Sequence, residues 1–416
     1  MRKRLLSLLL VTTMSAMCLF GCGGKSESEE ESKKADKSGT VSLTIWGSQA
    51  DQELLSSMVE SFKEKYKSEA IFDITVGTCE ESEARDTVLS DIEGAADVFA
   101  FADDQLNAFV AGGVLDPVTD DAIKAANNEK AVLAGTVNDK LYAYPMTADN
   151  GYFMYYNKAY FTKEDLASLN KMLDVAAEKD KKVTMDWSSG FYLYSFFAGA
   201  NLKCYLNDDG VTNTCDWNTT VSSTKGIDVA EAMLTIANHK GFINLDDTGF
   251  VEGVKNGTVI AGVNGVWNAT KVQEAWGENF GAIKLPTYIA DEKNVQMGSF
   301  AGYKFAGVNS YSKNLEWAHK LAQWVTNEEN QTKRFEERGL GPSNINAANS
   351  PAVASSPAIQ ALLQQSEYAT LQRVGANYWD PVKAFGEKMA AGNPNGEDLQ
   401  TLLDTMVDGI TALVAN

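Results

Sequence analysis

The chain has 416 residues, 44% hydrophobic and 10% aromatic, enough for two domains with packed cores. It carries 36 Lys and Arg against 56 Asp and Glu, a net charge of −20. A surface so acidic argues against nucleic acid as a partner and against docking on anionic lipid headgroups.

The chain begins as an export signal. Arg2, Lys3 and Arg4 precede an apolar stretch over residues 5–20. That pattern is too short and wrongly flanked for a stable transmembrane helix. It ends Leu19-Phe20-Gly21-Cys22, which resembles the lipobox of bacterial lipoproteins. The resemblance implies cleavage before Cys22, with 1–21 as the signal peptide, and lipidation of that cysteine. Two or more acyl chains make a stable anchor. Loss of Arg2, Lys3 and Arg4 leaves 33 Lys and Arg against 56 Asp and Glu, a net of −23. After Cys22, residues up to 40 contain no large apolar side chain, so 22–40 read as a lipidated cysteine and a flexible tether. A coil of that length spans roughly 20–25 Å. No later apolar run is long enough to cross a bilayer, so the rest is expected outside the cytoplasm, lipid-anchored to the cell membrane.

Beyond the tether, strands and helices alternate. Residues 41–46 alternate as a strand, and 50–66 place Leu54, Leu55, Met58, Val59, Phe62 and Tyr66 on one helical face. Residues 70–76 form a second strand, so a right-handed crossover and a parallel sheet covered by helices are predicted. A helix near 83–92, a strand at 97–101 and a helix over 104–110 follow. Further strands are predicted near 140–146, 151–157, 182–186, 258–266, 279–285 and 302–308, with helices between them. The last third is helical: 314–327, with Leu315, Ala318, Leu321, Ala322 and Val325 inward, then 357–366, 381–391 and 397–413. The Gly-, Pro-, Asn- and Ser-rich stretch RGLGPSNINAANSP (338–351) is a loop and a candidate crossing between domains. The class is α/β with open sheets.

Cys204 and Cys215 bracket YLNDDGVTNT, whose Asp209-Gly210 pair resembles a hairpin turn. A cross-strand disulfide there is sterically open and export would permit it; two free thiols fit equally well. Cys79 is then unpaired. No CxxC occurs, and His239 and His319 lie far apart without ligand spacing. No metal site, catalytic triad or cofactor is expected.

Five stretches carry a family resemblance: TIWGSQADQELLSSMVESFKEKY (44–66), ADVFAFADDQLNAFVAGGVLDPV (96–118), YAYPMTADNGYFMYYNK (142–158), VKNGTVIAGVNGVW (254–267) and RGLGPSN (338–344). In this order they resemble the extracellular solute-binding proteins of sugar ABC transporters, specifically the maltose/maltodextrin-binding group, over about 41–416. The resemblance implies a two-lobed periplasmic-binding-protein-like fold with a hinge and a helical C-terminal part. The N-terminal lobe would hold 41–147 plus 304–342 and the C-terminal lobe 148–303 plus 343–416, with crossings near 147–150, 301–304 and 340–344. It implies a monomer that captures malto-oligosaccharide in the cleft and delivers it to a membrane ABC permease, without catalysis.

Carried onto this sequence, the family's sugar site falls on Asp51 and Asp104 as hydroxyl-binding acids and on Phe101 as a stacking ring. Gln105 stands where the maltose binder has an arginine, and Asp149 where it has a glutamate. Phe191 and Tyr192 match an aromatic pair, and Trp267 and Trp379 match stacking tryptophans; Tyr378 would join Trp379 at a cleft rim, presented by NYWDP (377–381). Sugar chemistry suits such a set, because flat aromatics cover C–H faces while carboxylates and amides engage hydroxyls. WSSGFYLYSFF (187–197) crowds more aromatics around a helix than one core stripe needs, although Leu193, Phe196 and Phe197 read as core. Packing remains the other reading for Trp267 and Trp379, and helix capping for Asp51 and Asp104. A tethered glycoside hydrolase would need two of Asp51, Asp104 and Asp149 as a pair, and no motif pairs them. A xylo- or galacto-type oligosaccharide is the alternative ligand within the same role.

Overall fold

The computed structural model describes residues 39–207 and 209–413. The signal, Cys22 and nearly all of the tether lie outside the described residues. Two five-stranded sheets organise the chain. In the first, Ile71–Thr78, Thr40–Gly47, Val98–Ala102, Lys304–Val308 and Ala143–Thr147 lie side by side in that order. The first three run parallel, as their crossovers require, whereas Lys304–Val308 and Ala143–Thr147 add antiparallel neighbours. The predicted parallel sheet is therefore mixed. Lys304–Val308 arrives from the other half of the molecule, so no crossover helix dictates its direction. The second sheet repeats the plan with Phe242–Ile243, Lys182–Thr184, Val259–Gly265, Tyr152–Asn157 and Phe280–Ile283, again parallel and then antiparallel.

Helical periodicity builds the first core. The helix Gln52–Tyr66 buries Leu54, Leu55, Met58, Val59 and Phe62 against the sheet and the helix Leu315–Val325, whose Ala318, Leu321, Ala322 and Val325 face inward. The opposite face of that sheet carries Phe99, Phe101, Phe109 and Phe305. The strand Val98–Ala102 is buried throughout, and alternation puts Phe99 and Phe101 on the same face. Phe101 packs on Phe109 at 5.1 Å and on Phe305 at 5.7 Å between ring centres.

In the second half, the helix Gly190–Gly199 is apolar on nearly every side. Tyr194 stacks on Phe300 at 3.8 Å, Phe197 on Trp217 at 4.3 Å, and Phe196 meets Tyr288 edge-on at 5.1 Å. Most of the aromatic surplus in its sequence thus serves burial, while Phe191 stays half-buried. The helices Trp379–Ala390 and Leu399–Thr411 complete this core through Val382, Phe385, Met389, Leu403, Met406 and Ile410.

The halves join where four segments run together. Asn150 N donates to Gly302 O at 3.2 Å, Ala148 N to Gly341 O at 2.9 Å, and Gln372 N to Ala301 O at 2.9 Å. The Ser343 and Asn344 amides both donate to the buried Gln331 Oε1, at 2.7 and 2.8 Å. A Gly- and Pro-rich loop has no ladder for its amides, and a buried glutamine supplies the acceptor instead.

The helix Glu328–Arg338 is clamped to the first strand's end by charge. Arg334 is fully buried, and its guanidinium and that of Arg338 converge on the carboxylate of buried Asp51. Removing one partner would leave a buried ion under-compensated. Arg334→Ala is expected to cost about 3–5 kcal/mol in urea unfolding; a cost below about 1 kcal/mol would show that water reaches Asp51.

Candidate functional site

The strand ends of the two sheets meet around Lys304. Its ammonium lies 3.5 Å from the Glu81 carboxylate, beyond the strand Ile71–Thr78, and 5.8 Å from the Trp267 ring, beyond the strand Val259–Gly265. A loop from each sheet therefore faces the same cation. Asp149 completes this group. It is buried, accepts the Gly341 N–H, and has its carboxyl pushed up by burial against the opposing charge of Lys304.

Trp267 is half-buried, and its orientation is dictated from two directions. Its Nε1 donates to Asp247 Oδ2 at 2.8 Å. Its ring covers Gly265, where an added Cβ would come within 2.0 Å of ring carbon. Asp247 opens the helix Asp247–Lys255, which Asp246 caps by accepting Gly249 N at 2.7 Å. The Asp247 carboxylate also accepts Asn264 Nδ2 at 2.7 Å and the Tyr192 hydroxyl at 3.2 Å. Three donors from separate elements thus converge on one carboxylate, which has lone pairs for them. Burial, with the charge of Asp247, pushes the Tyr192 phenol well above its ordinary range, so it stays a neutral donor.

Asp103 and Asp104 follow the strand Val98–Ala102. Asp103 is buried, and its Oδ2 accepts Arg373 Nη1 at 3.0 Å; Arg373 also donates to Asp103 O at 3.1 Å and Ala134 O at 3.2 Å. Burial, opposed by Arg373, pushes the Asp103 carboxyl up to about 6. Burial together with the charge of Asp103 pushes Asp104 up to about 7. Asp104 is half-buried and its enclosed Oδ1 has no protein partner among the described residues.

The predicted site residues separate into two groups. Asp104, Asp149 and Trp267 sit at the meeting of the sheets; Phe191, half-buried, stands 6.3 Å from Trp267 between ring centres. Trp379 is half-buried and edge-on to Tyr378 at 5.0 Å. The other residues are committed to the fold. Phe101 is fully buried in the aromatic face of the first sheet, since a strand side chain points at a sheet face and not past its end. Tyr378 is fully buried with its hydroxyl on Gly190 O at 2.8 Å, and Tyr192 is buried on Asp247. Gln105 spends both ends of its amide on the neighbouring loop, accepting Arg85 N at 2.7 Å and donating to Glu81 O at 2.6 Å. Asp51 is held by two guanidiniums and makes no side-chain cap bond, so neither of its predicted roles is the one its geometry displays. Glu81, Lys304, Asp247 and Arg373 escaped the sequence reading. The doublet Asp246-Asp247 was legible as a helix start, but nothing in the linear order ties Asp247 to an indole 20 residues on.

The chain matches the family described as bacterial extracellular solute-binding protein over residues 57–361. It is 25% identical to the galactooligosaccharide-binding protein of Bacillus subtilis (strain 168), across 98% of this chain and 94% of that one. It is also 25% identical to a maltodextrin-binding protein of that organism, across 77% of this chain and 78% of the other. Among solved structures, one determined with acarbose shares 28% identity with a TM-score of 0.78, covering 90% of this chain and 99% of its own. The maltodextrin-binding protein of L. casei BL23, solved without ligand, shares 26% identity with a TM-score of 0.74, covering 90% and 100%.

The Asp247 contact predicts a local effect on one indole. Asp247→Ala should increase acrylamide quenching of the Trp267 contribution, isolated by subtracting the Trp267→Phe emission. Gly265→Ala should do the same by displacing the ring. Unaltered quenching in both would mean that packing alone holds the indole.

Proposed function

The chain belongs to the bacterial extracellular solute-binding family, and from that premise we propose that it captures an oligosaccharide between its two sheets for an ABC permease. The observation that carries this reading is the half-buried Trp267 indole, fixed by Asp247 and Gly265 where the strand ends of both sheets converge. An immobilised flat ring loses little entropy on stacking against a sugar's C–H face. Asp104, with an acceptor lacking any protein donor, suits a hydroxyl. Phe191 and Trp379 would extend the apolar surface, and Asp149, Glu81 and Lys304 would supply the polar rim.

Malto-oligosaccharide is the ligand we favour, from the likeness to maltodextrin-binding relatives. A galacto-oligosaccharide is the second reading, favoured by the match that spans 98% of this chain. Hydrolysis fits the geometry poorly: Asp51 is shared by two arginines and Asp149 is bound to Gly341 N, so neither is a free partner for a second carboxyl. Family membership places the protein outside the cytoplasm. We further propose lipid attachment at Cys22, from the sequence around it.

Calorimetry against malto- and galacto-oligosaccharides tests the ligand; absence of heat with both series would remove the reading. The same titrations report on Asp104. Its carboxyl, near 7 in the free protein, ionises more readily once a sugar hydroxyl donates to it. Binding at neutral pH should therefore release protons, seen as a heat that varies with the buffer's ionisation enthalpy, and Asp104→Asn should reduce that variation.

Cys22→Ala should leave sugar binding intact while releasing the protein or blocking its processing. Normal processing and retention in this variant would dismiss the anchor.

A further inference from the structure

Cys204 and Cys215 lie on the short antiparallel strands Cys204–Leu206 and Asn213–Cys215, directly opposite each other. Position within the ladder matters as much as register. Asp216 N donates to Lys203 O at 3.0 Å and Asn207 N to Thr212 O at 2.8 Å, so the pairs at 203/216 and 207/212 are the hydrogen-bonded ones. By alternation the Cys204/Cys215 pair is non-hydrogen-bonded, where Cα atoms of facing residues approach to about 4.5 Å. A disulfide accepts Cα separations of about 4.4–6.8 Å, so no backbone movement is needed. Both thiols are free in this structure; Cys204 is buried and Cys215 only half-buried.

The hairpin also has a mechanical position. Leu206 N donates to Arg373 O at 3.0 Å, and Asn213 Oδ1 accepts Gly375 N at 2.6 Å. It therefore brackets the segment whose Arg373 guanidinium reaches Asp103 and Ala134 of the first half.

We propose that Cys204 and Cys215 form a disulfide outside the cytoplasm, and that it staples the bracket carrying Arg373. The oxidant is a protein or low-molecular-weight disulfide. Half-exposed Cys215, as thiolate, attacks one sulfur of that disulfide and expels its partner thiolate. Cys204 then gives up its proton and attacks the Cys215 sulfur, expelling the second thiolate. Two protein thiols are oxidised and one external disulfide is reduced to two thiols. The order follows from accessibility: the adjacent Cys215, together with burial, holds the Cys204 thiol in its protonated form. The inference needs the extracytoplasmic location but does not depend on which sugar is bound.

One digestion isolates the pair. Cleavage after Lys203 and Lys225 leaves both cysteines in a single tryptic peptide, CYLNDDGVTNTCDWNTTVSSTK. From the exported full chain, denatured in the presence of iodoacetamide, this peptide is expected two hydrogens lighter than its dithiol form and unalkylated until reduced. Alkylation at both sulfurs without reduction, persisting after incubation of the folded chain with oxidised glutathione, would overturn the bond. Amide hydrogen exchange then tests the staple. Reduction should speed exchange at Leu206 and Gly375 at least several-fold relative to the first sheet; equal rates in the oxidised and reduced chains would overturn the structural role. Because the wild-type chain answers both questions, a cysteine variant that fails to fold does not block the test.

Discussion

Charge buried at the junction of the two sheets must find a partner there, and the junction is built around that requirement. Two five-stranded sheets bring their strand ends together, and strand ends carry loops with polar groups. Removed from water, such groups are costly unless paired. Arg373 answers Asp103 at 3.0 Å, Lys304 stands 3.5 Å from Glu81, and Arg334 and Arg338 share Asp51. Each pair ties together segments distant in the chain. The meeting of the two sheets and the charge pairing are therefore one problem with one solution.

Asp104 stands apart within this arrangement. It has an enclosed oxygen without a protein donor, beside another buried acid, and its carboxyl is displaced to about 7 as a result. An enclosed acceptor left without a donor is the kind of group a ligand hydroxyl can complete. Trp267 is the apolar counterpart. Its ring is immobilised before any ligand arrives, by a hydrogen bond at one edge and a glycine beneath it.

Much of the fold was legible in the sequence because it follows from period and turn chemistry. The apolar repeat of 50–66 became the buried face of the helix Gln52–Tyr66, and the Asp209-Gly210 turn lies between two antiparallel strands that put Cys204 opposite Cys215. The strand directions were less legible. A crossover helix predicts a parallel neighbour, but Lys304–Val308 joins from the far half of the molecule and inserts antiparallel between Val98–Ala102 and Ala143–Thr147. At the candidate site, the family likeness pointed to Trp267, Asp104 and Asp149, which lie at the junction, and also to Phe101 and Tyr378, which are core, and to Asp51, which is an ion-pair hub. Aromatic residues fill cores and sugar platforms alike, and a linear pattern cannot separate the two uses where both occur within one helix or strand.

The sequence by itself determined the α/β class, the placement of most helices and strands, the acidic surface and the family likeness, because each is carried by composition or local spacing. Only the tertiary structure decided which polar and aromatic side chains remain available. Asp247 orienting Trp267, Gln331 holding Ser343 and Asn344, and Arg373 reaching Asp103 join residues separated by 20, by 12 and 13, and by 270 positions. Such partnerships depend on where two sheets converge in space. Availability to a ligand is what remains after they are made.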